Sequence, residues 1–186
     1  MARFFLIRHG QPDYMETEKN GFWGFGRDFA PLTKEGITQA VRAAQDSRIQ
    51  TAELIVSSPY TRALQTAQII SEHTGLKVCV EVAIHEWIPD LTNRLVSGQA
   101  AIKAAIEFSA CHGVYPAGKT MQWETLEHMR NRMRSVADRY CDYDTVIMVG
   151  HGMAFRTIAP IGPLAPGAIA ECEYYKGQAD CKYEFD

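Results

Sequence analysis

The stretch Phe4-Phe5-Leu6-Ile7-Arg8-His9-Gly10 decides the architecture. Four apolar residues run directly into an Arg-His-Gly triplet. An unbroken apolar run of this length reads as a short strand buried on both faces. The triplet falls just past the strand's carboxyl end, where open α/β sheets place their ligands. His9 can be held rigidly there and still reach a substrate. Arg8 is permanently charged and suits a phosphate or carboxylate. Gly10 has no Cβ, so a ligand can approach the backbone closely.

The same pattern returns near the other end of the chain. Thr145-Val146-Ile147-Met148-Val149 is a second buried run, and it leads into Gly150-His151-Gly152. A third run, Glu53-Leu54-Ile55-Val56, leads into Ser57-Ser58-Pro59-Tyr60-Thr61-Arg62. Ser58 suits the N-cap and Pro59 the first position of a helix that runs to Thr74 and stops at Gly75. Arg62 then lies in the first turns of that helix, where free N–H groups already favour anions. If the three strands are parallel neighbours, Arg8, His9, Arg62 and His151 converge at one sheet edge. A fourth strand-like segment, Lys77 to Val82, precedes Ile84-His85-Glu86-Trp87-Ile88-Pro89-Asp90. A carboxyl group among apolar and aromatic neighbours favours the protonated form that a general acid needs. A solvated loop glutamate is the plainer reading of Glu86.

The remaining segments read as helices, loops and a final hairpin. Helical spacing covers Lys34 to Ser47 behind a Thr33 N-cap, through Ile37, Ala40, Val41 and Ala44. It covers Ser97 to Cys111 through Ile102, Ala105, Ile106 and Ser109, and Trp123 to Tyr140 through Leu126, Met129, Met133, Val136 and Tyr140. On the last of these, Arg130, Arg132, Arg134 and Arg139 read as a solvated face, because Glu124, Glu127 and Asp138 interleave with them. Met153 to Ala159 is a short helix. Ala168 to Tyr175 and Cys181 to Phe185 read as strands about a turn at Lys176-Gly177-Gln178. Gln11 to Pro31 is loop chemistry, and a long loop directly after a candidate active-site strand often covers the site. Its Phe22, Trp23 and Phe25, with Trp87, suit pocket walls and core packing equally.

Composition narrows the classes. A chain of 186 residues is enough for one domain with a core. The net charge of −3 gives no general pull toward nucleic acid or anionic membrane. No apolar run approaches the roughly 20 residues needed to span a bilayer, and the N-terminal run is cut short by Arg8. A cytoplasmic, soluble protein is expected. The five cysteines, Cys79, Cys111, Cys141, Cys172 and Cys181, are odd in number and lack Cys-x-x-Cys spacing, as reduced thiols would. The oligomeric state is open, a homodimer included.

Two histidines with two arginines and a carboxylate point to phosphoryl chemistry. A metal site would want histidines and carboxylates without competing cations, so no metal and no cofactor is expected. A phosphoryl site needs positioning and charge stabilisation. A neutral imidazole can be its in-line nucleophile, and a carboxyl group can protonate the departing alkoxide and then activate water. The arginines should hold the pKa of His9 below the usual ~6.5, keeping it neutral.

On these residues the chain resembles the histidine phosphatase superfamily, the phosphoglycerate-mutase-like proteins. The matching pieces are Leu6-Ile7-Arg8-His9-Gly10, Pro31-Leu32-Thr33 with Gly36, Ser57-Ser58-Pro59 with Thr61-Arg62-Ala63 and Thr66-Ala67, the Glu86 segment, and Val149-Gly150-His151-Gly152. The resemblance implies a three-layer α/β sandwich: a mostly parallel central sheet with helices on both faces. It implies one domain over residues 1–186, with 11–31 and 88–120 covering the site. It also implies His9 as nucleophile, Arg8, Arg62 and His151 as phosphoryl ligands, Glu86 as acid and base, and a phosphorylated small molecule as substrate. The sequence departs from the family in three places. Only Asn20 is available for an asparagine that often follows the Arg-His-Gly. Gly118-Lys119-Thr120 stands where a Gly-Glu-Ser is expected. Asp90 and Glu81 are rivals to Glu86. A mutase must shield its phosphoenzyme from water, which asks for substantial cover. The modest segment between Glu86 and Thr145 favours a phosphatase. A mutase, a phosphohistidine protein phosphatase and a non-catalytic phosphate-binding module are the alternatives.

Overall fold

The apolar runs form the centre of a sheet in the computed structural model, which describes residues 1–95 and 97–185. Val96, inside the expected covering segment 88–120, and Asp186 lie outside the described residues. The strands are β1 (Ala2–Arg8), β2 (Leu54–Ser57), β3 (Val78–Val80), β4 (Thr145–Gly150) and β5 (Ile169–Tyr174). Their order is β3-β2-β4-β1-β5, parallel except for β5, which runs antiparallel to β1.

Alternate side chains of each strand point to opposite faces, which produces two cores. Phe5, Ile7, Ile55, Ile147 and Val149 pack on one face with Ala43 and Ala44 of α2 (Lys34–Ala44) and Ala63, Ala67 and Ile70 of α3 (Thr61–Thr74). Phe4, Leu6, Val56, Val146 and Met148 pack on the other. There they meet Phe108 of α4 (Gly98–Ala110), Met129, Met133 and Val136 of α5 (Leu126–Arg139), and Phe155 of α6 (Gly152–Phe155). This is the expected three-layer arrangement. A short α1 (Met15–Lys19) and a 3₁₀ segment (Gly24–Phe29) lie in the loop after β1. No helix among the described residues is long and apolar enough to cross a membrane.

Several elements differ from their sequence expectation. Helix α3 begins at Thr61 with Tyr60 at the N-cap, not at Pro59. Ser58 lies two residues before that cap, and its hydroxyl is hydrogen-bonded to His151. Cys181 to Phe185 is not a strand. Tyr183 and Phe185 pack edgewise and tilted around Phe108 instead, so their apolar character serves a core. Of the four α5 arginines only Arg139 is on a solvated face, its side chain 53% exposed. Arg130 and Arg134 hold Asp180 in the C-terminal segment, Arg139 pairs with Glu81, and Arg132 is almost covered. On α4 two apolar stripes overlap, and the one carrying the larger aromatic Phe108 turns inward. Ile102 and Ile106 are left 53% and 65% exposed, opposite to the expected face.

Candidate active site

Strand register places the site. Arg8 pairs with Gly150 and Ser57 with Val149. The next residues, His9, Ser58 and His151, therefore leave three adjacent strands side by side. The ladder continues one step beyond the strands: His9 N donates to Gly150 O at 3.0 Å and Ser58 N to Val149 O at 3.0 Å.

His9 is almost fully buried, and its Nδ1 lies 2.7 Å from Gly10 O. A carbonyl oxygen only accepts, so Nδ1 carries the proton and Nε2 presents its lone pair. Arg62 Nε donates to that Nε2 at 3.2 Å. Burial, then Arg62, lowers the His9 pKa to about 3, with a smaller contribution from Arg8. The expected direction holds, but the dominant cause is desolvation, which the sequence reading did not weigh.

His151 is completely buried with its ring centroid 5.0 Å from that of His9. Its Nε2 lies 2.8 Å from Ser58 Oγ. That oxygen also accepts from Tyr60 N at 3.4 Å, and when the Ser58 hydroxyl donates to Nε2 the ring proton of His151 sits on Nδ1. Burial, followed by Arg62, holds His151 well below its ordinary pKa. The ring is therefore neutral, and in that tautomer it offers Nδ1–H to the site. Three buried nitrogens have no hydrogen-bond partner among the described residues here: His151 Nδ1, Arg62 Nη1 and Arg8 Nε. Buried donors without acceptors are costly, and a bound phosphoryl group would satisfy them.

Glu86 lines the same cleft as Arg62. Its Oε1 accepts from Trp87 N at 2.9 Å and Ala154 N at 3.1 Å. The rivals are engaged elsewhere. Asp90 accepts from Thr92 N, Thr92 Oγ1 and Arg94 N in a local turn, although it also borders the cleft. Glu81 binds Arg139 and Tyr140. Asn20 is exposed and donates to Glu16 O at the end of α1, so the structure does not bring it to the cluster. Lys119 and Thr120 lie on an exposed loop; the acid followed by a hydroxyl residue that the fold uses is Glu124-Thr125, with Thr125 capping α5. Gly10 also needs a correction. A Cβ there would lie 2.2 Å from Gly36 O, so its missing side chain admits the first turn of α2 rather than a ligand.

Two residues escaped the sequence reading. Asp28, from the loop after β1, has Oδ1 3.7 Å from Arg62 Nη1. Burial raises its pKa to about 6, against the opposing pull of Arg62 and Tyr60. Tyr60 lies beneath the Arg62 guanidinium, 4.8 Å from ring centroid to Cζ. Burial, then Asp28, pushes its phenol upward. The cleft has a volume of about 160 Å³. Its walls include Tyr14, Phe25 and Asp28 from segment 11–31, and Ile88, Asp90 and Leu95 from segment 88–120. Of the four flagged aromatics, Phe25 and Trp87 line it. Trp23 lines a wider opening that includes Arg8, and Phe22 is 54% exposed. No cluster of metal-ligating side chains was found among the described residues.

Comparison with known proteins agrees with this geometry. The family profile described as histidine phosphatase superfamily (branch 1) matches residues 4–161. A probable phosphoglycerate mutase GpmB of Yersinia enterocolitica is 28% identical over 158 residues, covering 83% of this chain and 71% of that protein. A mycobacterial glucosyl-3-phosphoglycerate phosphatase, solved with VO3, superposes with a TM-score of 0.68 at 23% identity, covering 92% of this chain and 90% of the other. The phosphoserine phosphatase of Entamoeba histolytica, in complex with 3-phosphoglyceric acid, gives 0.59 at 25% identity, covering 84% and 77%.

Proposed function

The chain belongs to the histidine phosphatase superfamily (branch 1), and on that premise we propose that it hydrolyses a phosphomonoester of a small metabolite through a phosphohistidine on His9. The observation that carries this reading is the set of three buried nitrogens that lack a hydrogen-bond partner, Arg8 Nε, Arg62 Nη1 and His151 Nδ1, beside a His9 ring whose Nε2 carries the lone pair. Nε2 attacks phosphorus in line, the N–P bond forms and the ester P–O bond breaks. Glu86 gives its proton to the departing alkoxide. It then takes one from water, whose oxygen attacks phosphorus as the P–N bond breaks and phosphate leaves. Arg8, Arg62 and His151 bind the equatorial oxygens, where one such donor is worth about 3–4 kcal/mol. A bound dianion also offsets the charge of Arg62, which returns to Nε2 the part of its basicity that the guanidinium suppresses.

Water as acceptor fits the modest cover over the cleft, since a mutase must exclude it. The relatives' names include both a mutase and phosphatases. The cleft of about 160 Å³ suits a small leaving group. Screening a panel of phosphorylated metabolites for inorganic phosphate release tests the reading. Net release on at least one metabolite is expected, far faster than transfer to a second hydroxyl. Isomerisation of a phosphoglycerate without phosphate release would make the protein a mutase.

A further inference from the structure

Glu86 sits in a segment with little regular structure, and its backbone polar groups still need partners. They find them in one guanidinium. Arg132, on α5, donates from Nη1 to Ala83 O and His85 O, both at 2.7 Å, and from Nη2 to Glu86 O at 3.2 Å. The same guanidinium grips Glu124 from Nε to Oε1 at 2.7 Å and from Nη2 to Oε2 at 2.9 Å. Glu124 is fully buried. Its Oε2 accepts from Ile88 N at 3.2 Å, its backbone N donates to Ile88 O at 2.9 Å, and its carbonyl accepts from Trp87 Nε1 at 2.7 Å. His128 Nδ1 adds a contact to Oε1 at 2.9 Å. The carbonyls on both sides of the Glu86 Cα are thereby fixed, and the carboxyl group is directed to the cleft and the start of α6.

We infer that Glu124 and Arg132 are positioning residues for proton transfer by Glu86: an ion pair behind the site that sets where its carboxyl group meets the leaving oxygen. The inference rests on the role of Glu86 proposed above. Stability alone gives a weak reason for the pair, because a buried ion pair seldom outdoes a well-packed apolar replacement. Five N–H donors in a rigid fork can pin three carbonyls and a carboxylate at once, and a lysine cannot. Small misplacements matter in such a site: about 1 Å can cost roughly 100-fold in rate.

Leaving-group dependence tests this, because general-acid help matters for poor leaving groups and little for good ones. The rate of His9 phosphorylation is measured in single turnover for wild type, Arg132→Lys and Glu86→Gln, with 2,4-dinitrophenyl phosphate and with an alkyl phosphate. The inference expects Arg132→Lys to slow the alkyl ester by about 10- to 100-fold, part of the 10²–10⁴ that a general acid supplies. The dinitrophenyl ester should change by no more than about threefold, the same selectivity as Glu86→Gln. Equal slowing of both esters, or no slowing of either, would overturn it. If Glu86→Gln itself shows no selectivity, the assigned role of Glu86 falls and the inference with it. If Arg132→Lys does not fold, Glu124→Gln carries the same comparison, since it keeps the shape of the side chain and removes the charge that Arg132 grips.

Discussion

Replacing Asp28 by Asn should stabilise the protein at neutral pH and leave it unchanged in acid. Asp28 is held near Arg62 but is substantially buried, and burial outweighs the arginine: its pKa rises from the ordinary 3.8 to about 6. A carboxyl group with a raised pKa keeps its proton in the folded state over a range where the unfolded chain has lost it. Its contribution to stability is therefore full below about pH 4, falls as pH rises to about 6, and stays low beyond. At about 1.4 kcal/mol per pKa unit the rise is worth roughly 3 kcal/mol. A quarter of the side chain reaches solvent, which screens part of this, so a difference of about 1–3 kcal/mol is expected at pH 8. Urea unfolding of wild type and Asp28→Asn at intervals from pH 4 to pH 8 measures it, and the difference between the two cancels the titration of every other group. The curves should meet near pH 4 and separate above, with the variant more stable. A wild type that gains on the variant as pH rises would mean that the Arg62 attraction wins, and would refute the reasoning.

Arg62→Lys should lower kcat/KM by about 10²–10³, because a lysine cannot hold both Nε2 of His9 and a phosphoryl oxygen; steady-state kinetics on any accepted phosphomonoester measures it, and a loss below fivefold would contradict the role. Gly10→Ala should lower the melting temperature sharply, since its Cβ would meet Gly36 O at 2.2 Å and overpacking against backbone costs about 1–3 kcal/mol or more; an unchanged Tm would contradict the close approach. The His9 ring should show no titration by NMR between pH 8 and pH 5, because burial and Arg62 hold its pKa at about 3. By linkage, its contribution to stability is full above about pH 6.5 and is lost as pH falls toward 3. A His9 resonance moving with a midpoint near 6.5 would contradict this.

The parts of the fold that could be read in advance were those with local causes. Unbroken apolar runs marked β1, β2 and β4 because both faces of the sheet are covered. The site followed from them, since His9 and His151 each come directly after a strand. What could not be read depended on partners far away in sequence. The charges along α5 resemble a solvated face by spacing alone, yet Arg132 reaches back to Ala83 and Arg134 forward to Asp180. Asp28 had no signal, because the path of its loop is set by packing against α3 rather than by its own residues. Gly10 was legible as necessary and misread in purpose, since the neighbour it admits is Gly36. On α4, Ile102 and Phe108 offered competing faces, and only the packed core selects between them.

The central claim is that one ring nitrogen of His9 accepts the phosphoryl group. Rapid quenching during turnover of a ³²P-labelled substrate, followed by peptide mapping, tests it most directly. An acid-labile, base-stable label on His9 is predicted, absent in His9→Ala together with turnover. Turnover at the wild-type rate by His9→Ala, or a label on another residue, would contradict it.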